Sequence, residues 1–275
     1  MVNGYMPISL QQALEILATQ EVIPYAGGTD LMIENRTDVK YLFLKKISEL
    51  GKIVVDEEYI RIGAAVTFAQ ALANPDVPKM MKEAILGIGS PAIRNAGTFG
   101  GNLGNGSDKA DSVLIEFATD AKICLVSVNG VRTVDIDQFY RGRKRLDLHA
   151  GELIREILIP KRDLEQYYYQ KVGGRNALAI TFVSFAGVFC MQEEIITNIA
   201  VAFGAAGDAI QRYKNIEQMM LGKTLKEARS LKTEYIKAYD EHMVYNQSRV
   251  GPKYQRYVCM KLLEDFLTKF IFDRT

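Results

Sequence analysis

Apolar residues recur at helical spacing near the start of the chain and then in short continuous or alternating runs. Residues 8–19 carry the helical spacing, and Ser9 stands where an N-terminal cap is expected. Five further elements are predicted before residue 90: strands at 22–25 and 41–47, a strand hairpin over 53–62, and helices at 67–72 and 78–86. Strands and helices therefore alternate irregularly, which favours a mixed fold.

The second half of the chain follows a glycine-rich stretch at 87–111. It predicts a helix at 113–118, strands at 121–128 and 131–136 around an Asn129-Gly130 turn, and strands at 153–159, 179–191 and 195–204. From about residue 215 the pattern is helical to the end and includes residues 219–221. The predicted fold class is α+β, with mixed lobes first and an antiparallel sheet with helices last.

The composition limits the classes of function. The 275 residues are 48% hydrophobic, which is enough for a substantial core and for two or three lobes. The 34 basic and 33 acidic residues give a net charge of +1, so charge does not support binding of nucleic acid or of an anionic membrane. The N-terminus lacks the basic and long apolar regions of a secretory signal, and no apolar run of about 18 residues predicts a membrane span.

The three cysteines, Cys124, Cys190 and Cys259, stand alone in their segments, and only two histidines occur. Structural zinc and iron–sulfur sites use clustered thiolate or imidazole ligands, so neither metal site is predicted within this chain. An odd number of scattered cysteines also argues against a disulfide framework. The sequence predicts three buried small side chains in a protein of the reducing cytoplasm.

Paired glycines follow the strand predicted at residues 22–25. Residues 26–30 read Ala-Gly-Gly-Thr-Asp. Glycine has no Cβ, so its amide group can approach an anionic oxygen closely, and Thr29 adds a hydroxyl donor. The segment has the composition of a phosphate-binding loop. The alternative is a tight turn before a helix, with Thr29 or Asp30 as the cap.

A second glycine segment strengthens the case for a nucleotide. Residues 87–111 contain seven glycines, and residues 98–102 again combine a hydroxyl, paired glycines and an amide side chain. Ordering so many glycines costs conformational entropy, which backbone hydrogen bonds to a polyphosphate would offset. Neither segment is a Walker motif, and neither has the GxGxxG of a Rossmann fold. A nucleotide is therefore predicted, held by a different fold.

Together these segments resemble the FAD-binding subunits of the molybdenum hydroxylases, a family that includes the flavin subunits of xanthine dehydrogenase and aerobic carbon monoxide dehydrogenase. The resemblance spans essentially the whole chain and rests on residues 26–31, 93–103, Asp111, 157–160, 171–172 and 254–257. It implies an FAD-binding fold of the vanillyl-alcohol oxidase type. Its two subdomains would be 1–55 and 56–166, and the C-terminal antiparallel sheet with helices would be 167–275.

The resemblance also implies which residues bind FAD. It assigns one pyrophosphate segment to Tyr25, Ala26, Gly27, Gly28, Thr29, Asp30 and Leu31, and the other to Gly97, Thr98, Gly100, Gly101 and Asn102. Further contacts are a polar one from Ser107, a ribose contact from Asp111, an apolar one from Ile154, stacking on the flavin by Tyr169, and Lys171 at the polar edge of the flavin. No catalytic side chain is assigned, because the flavin carries the chemistry.

Several of these residues have a structural alternative. Asp111 could cap the helix that follows it, and Lys171 could be a solvated strand lysine. Tyr169 lies in a run of three tyrosines in which packing alone could explain two. Arg94 and Asn95 could hold the second segment rather than contact a cofactor.

The chain also departs from the family pattern. Asp108 stands where relatives often carry proline, and Ala110 where they often carry serine. A carboxylate near a pyrophosphate is unfavourable unless it points away from it. These two changes bear on the affinity for FAD more than on the fold.

The implied function is electron transfer. A molybdopterin-binding large subunit would oxidise the substrate, a small [2Fe–2S] subunit would relay electrons singly, and FAD here would pass them to NAD⁺ or to another acceptor. Three alternatives stay open: a self-standing flavin oxidoreductase of the same fold, a module that keeps the fold but has lost FAD, and a chain that binds an unrelated nucleotide for regulation.

Overall fold

The computed structural model describes residues 3–34, 36, 38–162, 164, 166–175 and 181–273. The strands are β1 (Asn3–Tyr5), β2 (Ile23–Tyr25), β3 (Lys40–Phe43), β4 (Ile53–Val55), β5 (Tyr59–Gly63), β6 (Lys122–Ser127), β7 (Gly130–Asp135), β8 (Leu153–Pro160), β9 (Tyr167–Gly173), β10 (Thr181–Gln192), β11 (Ile195–Gly204) and β12 (Gln211–Arg212). The helices are α1 (Leu10–Thr19), α2 (Phe68–Ala73), α3 (Lys79–Leu86), α4 (Pro91–Ala96), α5 (Phe99–Gly104), α6 (Asp111–Ala118), α7 (Ile136–Phe139), α8 (Lys214–Glu217), α9 (Leu225–His242) and α10 (Pro252–Asp265). This mixture confirms the α+β class.

The chain divides into two compact units. The first consists of Met1–Val77, Ile88–Ser107 and Asp120–Lys161, and the second of Pro78–Gly87, Asp108–Thr119 and Arg162–Thr275. The second unit therefore takes α3 and α6 from the middle of the chain. The boundaries predicted after residues 55 and 166 stay predictions.

The first unit contains two sheets. Strands β1, β3 and β2 form a parallel sheet in that order, and β4, β5, β8, β6 and β7 form an antiparallel sheet in that order. Both predicted hairpins are confirmed, including the turn at Asn129-Gly130, where Ser127 pairs with Gly130. The Ser9 cap is also confirmed, because its hydroxyl accepts a hydrogen bond from the Gln12 amide at the start of α1.

The second unit is an antiparallel sheet covered by helices. Strand β10 pairs with β9 and β11, and β12 pairs with the outer edge of β11. Large buried aromatic side chains from the sheet and from the C-terminal helical segments share one core: Phe185, Phe189, Phe203, Tyr235, Tyr239 and Phe266. Helix α6 contacts α3, β10 and β11, and every residue of α6 is buried.

Two element predictions are wrong in detail. The strand predicted at 41–47 ends at Phe43, because the chain then turns and the Ile47 amide donates to the Leu44 carbonyl. Residues 219–221, predicted as helical, form a turn that ends at Gly222, which has a positive φ of 74°. The first two residues of the strand predicted at 179–191 lie outside the described residues.

Among the described residues, no helix is long and apolar enough to cross a membrane.

One carboxyl group in α6 is buried without a partner. Glu116 is fully buried, and neither of its carboxyl oxygens accepts or donates a hydrogen bond within the described structure. Burial raises the pKa of Glu116 well above its usual value. Buried Glu217 differs, because its carboxylate accepts from Arg212 and from the Val201 amide. Glu116 is therefore a local source of instability in the second unit.

We expect Glu116→Leu to stabilise the protein by about 1–3 kcal/mol, because it removes an unpaired buried polar group. A raised folded-state pKa favours folding at low pH, and this contribution is lost as the pH rises through that pKa. The gain should therefore be larger at pH 8 than at pH 5, as measured by urea unfolding. Glu116→Gln serves as the control, since it removes the titration but keeps a polar group. Equal stability of Glu116→Leu and wild type at both pH values would contradict the expectation.

Candidate functional site

The first glycine segment presents a row of unused backbone donors. Strand β2 ends at Tyr25, and a short 3₁₀ turn begins at Leu31. Between them, within the described part of the chain, the amide groups of Gly27, Gly28, Thr29 and Asp30 donate no hydrogen bond to the protein. Successive free amide groups in a turn form a concave donor surface that suits an anion. This segment therefore fits a pyrophosphate.

Aromatic side chains support this segment. Gly28 has a positive φ of 68°, and a Cβ there would lie 2.1 Å from the Tyr25 hydroxyl oxygen. The Tyr25 ring lies 5.0 Å from that of Phe43 and 5.5 Å from that of Tyr41, measured between centroids. Only glycine allows both the backbone angle and the close approach to the ring. Tyr25 therefore packs directly against Gly28.

The two glycine segments meet within the first unit, although they are far apart in sequence. A Cβ on Gly27 would lie 1.9 Å from the carbonyl oxygen of Ala96, and one on Gly101 would lie 4.0 Å from Cβ of Ala26. The Asn105 side chain donates to the Asp30 carboxylate at 3.0 Å. The sequence pattern placed both segments on one ligand, and their contact is consistent with that prediction.

The second segment is not the loop that the sequence suggested. Residues 91–96 and 99–104 form the short helices α4 and α5, and Thr98 caps α5 by accepting from the Gly101 amide at 3.1 Å. The Phe99 and Gly100 amides donate to carbonyls of Val66 and Ala64. These amides are already used within the unit. Binding by this segment would thus depend on exposed Gly101 and partly exposed Asn102 rather than on a row of free amides.

Other residues that the sequence singled out in the first unit lie within this segment or beside it. Arg94 donates from one guanidinium nitrogen to the carbonyls of Ile88 and Gly89, at 3.0 Å each, so it ties α4 to the residues before it. Ile154 is buried in β8, and a Cβ on Gly104 would lie 3.6 Å from its Cδ1 atom. Gly97 is buried and Ser107 is partly exposed at the end of the segment.

The second unit brings Asp111, Tyr169 and Lys171 into one buried polar cluster. The Lys171 ammonium donates to Oδ2 of Asp111 at 2.6 Å and to the Gly87 carbonyl at 2.9 Å. The Tyr169 hydroxyl donates to Oδ1 of Asp111 at 3.3 Å. The Asp111 side chain is 5% exposed and that of Lys171 is 18% exposed. We call these three residues the Asp111 cluster.

Two structural alternatives for this cluster are wrong. Asp111 is the first residue of α6 and not its cap, which is Ala110, so its carboxylate is directed to β9 side chains. Lys171 is not a solvated strand lysine, because its ammonium is engaged in a buried ion pair. Burial raises the pKa of Asp111, while the charge of Lys171 and the hydrogen bond from Tyr169 act in the opposite direction.

Residues near the predicted contacts escaped the sequence prediction. The Lys144 ammonium donates to the Asn105 side chain, and the Lys144 backbone has a positive φ of 58°. The Gly87 carbonyl accepts a hydrogen bond from the Lys171 ammonium. Nothing in the local sequence marks Lys144, which lies 39 residues beyond Asn105. Asp108, the departure from the family pattern, is buried in the second unit, and its carbonyl accepts from the Ala205 amide at 2.9 Å.

Comparison with known families matches two domain models to the chain. Residues 1–162 match the FAD binding domain in molybdopterin dehydrogenase, and residues 167–270 match the CO dehydrogenase flavoprotein C-terminal domain. Together the two matches cover nearly the whole chain.

Individual proteins give the same result. The nicotinate dehydrogenase FAD-subunit of Eubacterium barkeri is 32% identical over 237 residues, which cover 80% of each chain. A putative xanthine dehydrogenase FAD-binding subunit of Escherichia coli is 28% identical and covers 76% of each chain. The fold resembles that of a chain of Cu,Mo-CO dehydrogenase with a TM-score of 0.89 at 21% identity, covering 100% of this chain and 98% of that one. A chain of quinoline 2-oxidoreductase from Pseudomonas putida 86 has a TM-score of 0.87 at 22% identity, covering 98% and 97%.

Proposed function

The chain belongs to the family of FAD-binding medium subunits of the molybdenum hydroxylases, and we propose that it passes electrons from an iron–sulfur partner through FAD to a further acceptor. It is a flavoprotein oxidoreductase subunit, and FAD is its cofactor. Bound FAD supplies the exchange of electrons, singly or in pairs. The protein's own contribution is to bind the cofactor, to orient it and to set the charge around it.

One observation carries the proposal for FAD binding: the unused amide groups of residues 27–30, held against the Ala96 backbone. Four such donors could bind the oxygens of a pyrophosphate, with the Thr29 hydroxyl as an additional donor. Gly101 and Asn102 would add contacts from the second segment. Residues 27–29 are partly exposed and Asp30 is exposed, so a ligand can reach these amide groups from solvent.

The proposed partner subunits are inferred from the names of the related proteins. Relatives named as FAD-subunits or medium chains indicate an enzyme with separate subunits. We propose a molybdopterin-binding large subunit and a [2Fe–2S] small subunit, since the three cysteines of this chain are isolated in sequence and free. NAD⁺ is the proposed acceptor. The scattered free cysteines also support the reducing cytoplasm as the proposed location.

The test is the visible absorption spectrum of the purified chain after incubation with FAD and gel filtration, followed by anaerobic addition of NADH. Retained flavin bands that bleach with NADH would support both FAD binding and exchange with nicotinamide. Retained bands that do not bleach would remove NAD⁺ as the acceptor. If no flavin is retained, the measurement is repeated on the chain isolated with its partners, and a flavin-free complex would contradict the proposal.

A further inference from the structure

The first glycine segment carries an anion of its own. Asp30 is exposed and closes the row of amide groups of residues 27–30. A carboxylate beside a pyrophosphate is repelled by it, and the repulsion grows where water is excluded. Within the described part of the chain, none of these amide groups donates to the Asp30 carboxylate. The segment therefore suits a pyrophosphate as long as this carboxylate is held to one side.

Asn105 bonds to the Asp30 carboxylate from the second segment. Its Nδ2 donates to Oδ2 of Asp30 at 3.0 Å, and its Oδ1 accepts from the Lys144 ammonium. An amide side chain has a donor end and an acceptor end, so a carboxylate on one side and an ammonium on the other fix its orientation. The Asn105 backbone caps α5 at φ −67° and ψ −22°, a geometry that alanine also adopts. We call Asp30, Asn105 and Lys144 the Asp30 tether.

The Lys144 backbone is docked on the end of the second segment. Its amide donates to the Gly106 carbonyl at 2.8 Å, and a Cβ on Gly106 would lie 3.0 Å from Cα of Lys144. Lys144 itself has a positive φ of 58°, which is uncommon for a residue with a side chain. Such a backbone persists where surrounding contacts hold it. The position of Lys144 beside Asn105 is therefore set by the fold.

An arginine fastens the loop that carries Lys144. Between α7 and β8, the Asp147 side chain accepts from Arg132 of β7 at 2.8 Å, and the Glu152 carboxylate accepts from it at 2.7 and 2.8 Å. Charge-assisted bonds of this kind are strong and directional. These bonds from Arg132 hold the pKa of Asp147 and of Glu152 below the usual value. The loop is thus bound to the sheet on the C-terminal side of Lys144.

We propose that Asn105 and Lys144 are positioning residues that hold the Asp30 carboxylate aside, so that the amide groups of residues 27–30 stay open to the pyrophosphate of FAD. The inference rests on the proposed function. Without Asn105, the carboxylate would be free to turn and would meet the phosphate oxygens as a like charge. Aspartate side chains also accept from nearby backbone amides, so a released carboxylate would compete for the same donors. The tether thus acts on FAD through Asp30.

The experiment is a double-variant cycle on FAD binding. Asn105→Ala removes the link without changing the charge of the protein, and Asp30→Asn removes the carboxylate. We expect Asn105→Ala alone to lower the affinity for FAD by about 10-fold, from one released like charge. Together with Asp30→Asn, it should lower the affinity by less than about twofold relative to Asp30→Asn alone. Dissociation constants are measured on the purified chain by titration of flavin fluorescence. Asn74→Ala, the same substitution at a partly exposed position of the same unit, should match wild type.

Lys144→Met tests the other end of the tether. It should lower the affinity at about 0.3 M NaCl, where exposed charges are screened beyond roughly 6 Å. Arg143→Met removes an equal charge from the preceding position of the loop and should leave the affinity unchanged. Lys144→Met combined with Asn105→Ala should bind FAD as tightly as Asn105→Ala alone, because Lys144 acts through Asn105. A further loss in the combined variant would mean that Lys144 acts on FAD directly and would contradict the proposal.

The outcomes separate this inference from the proposed function. A wild type that binds no FAD, alone or with its partners, would overturn both. A wild type that binds FAD, with Asn105→Ala equally harmful with and without Asp30→Asn, would overturn the inference alone, and so would an Asn105→Ala equal to Asn74→Ala. Urea unfolding without FAD checks the fold of each variant, since removal of the Asp30 charge would not repair general damage. If Asn105→Ala does not fold, the cycle is run with Lys144→Met, and a loss that Asp30→Asn does not relieve would contradict the proposal.

Discussion

Gly27→Ala should lower the affinity for FAD by about 10- to 100-fold. A Cβ on residue 27 would lie 1.9 Å from the Ala96 carbonyl oxygen and 2.6 Å from its carbonyl carbon. Both are backbone atoms, so no side-chain rotation relieves the overlap, and the two glycine segments must move apart. Overpacking of this kind costs about 1–3 kcal/mol. When the two segments must close around FAD to bind it, this cost reduces the affinity by about the 10- to 100-fold stated. The affinity is measured by titration of flavin fluorescence.

Gly51→Ala is the matched control for that experiment. Gly51 lies in the same unit at a φ of −102°, and the nearest atom to an added Cβ is the Ser48 carbonyl oxygen at 3.8 Å. The methyl group should fit there and leave FAD binding unchanged. An affinity of Gly27→Ala within about twofold of this control would mean that the contact between the two segments does not shape the site.

The fold near the first segment could be predicted because local signals agree with it. Ser9 caps α1, Asn129-Gly130 forms its hairpin, and the paired glycines at 27 and 28 follow a strand. Each of these features depends on a few neighbouring residues, so the sequence pattern contains the necessary information. Membership in the flavin subunit family, predicted from the same segments, is confirmed by the domain matches.

The second segment could not be predicted from local signals. Helix α5 reads Phe-Gly-Gly-Asn-Leu-Gly, and glycine is a poor helix former. The helix forms because Thr98 caps it and because tertiary carbonyls of Val66 and Ala64 receive the Phe99 and Gly100 amides. Tertiary hydrogen bonds thus override the local preference. The sequence pattern indicates glycines that bind a ligand, whereas the structure uses several of them for close packing.

The Asp111 cluster likewise depends on long-range contacts. Asp111 and Lys171 are 60 residues apart, and the sequence offered separate roles for each of them. Their ion pair follows from the docking of α6 and α3 against the sheet of the second unit, which brings the start of α6 to β9. Only the three-dimensional arrangement shows that the two residues form one ion-paired cluster.

Lys171→Met should destabilise the second unit by about 3–5 kcal/mol at pH 8, because it leaves the buried Asp111 carboxylate without its countercharge. Methionine keeps most of the length of the side chain, so the loss reports charge more than packing. Lys269→Met is the control, since the Lys269 side chain is 65% exposed and its ion pair with Asp265 lies at the surface. An exposed pair contributes about 0–1 kcal/mol. Urea unfolding of both variants measures the difference.

The pH dependence separates the charge effect from general damage to the fold. Burial already raises the pKa of Asp111, and removal of the Lys171 ammonium raises it further. A group with a raised folded-state pKa contributes stability that is present at low pH and lost as the pH rises through that pKa. The deficit of Lys171→Met should therefore shrink from pH 8 to pH 5, and Asp111→Asn combined with Lys171→Met should recover much of the loss at pH 8. A deficit that is equal at both pH values, or a double variant no more stable than Lys171→Met, would mean that Asp111 is not held by the Lys171 charge.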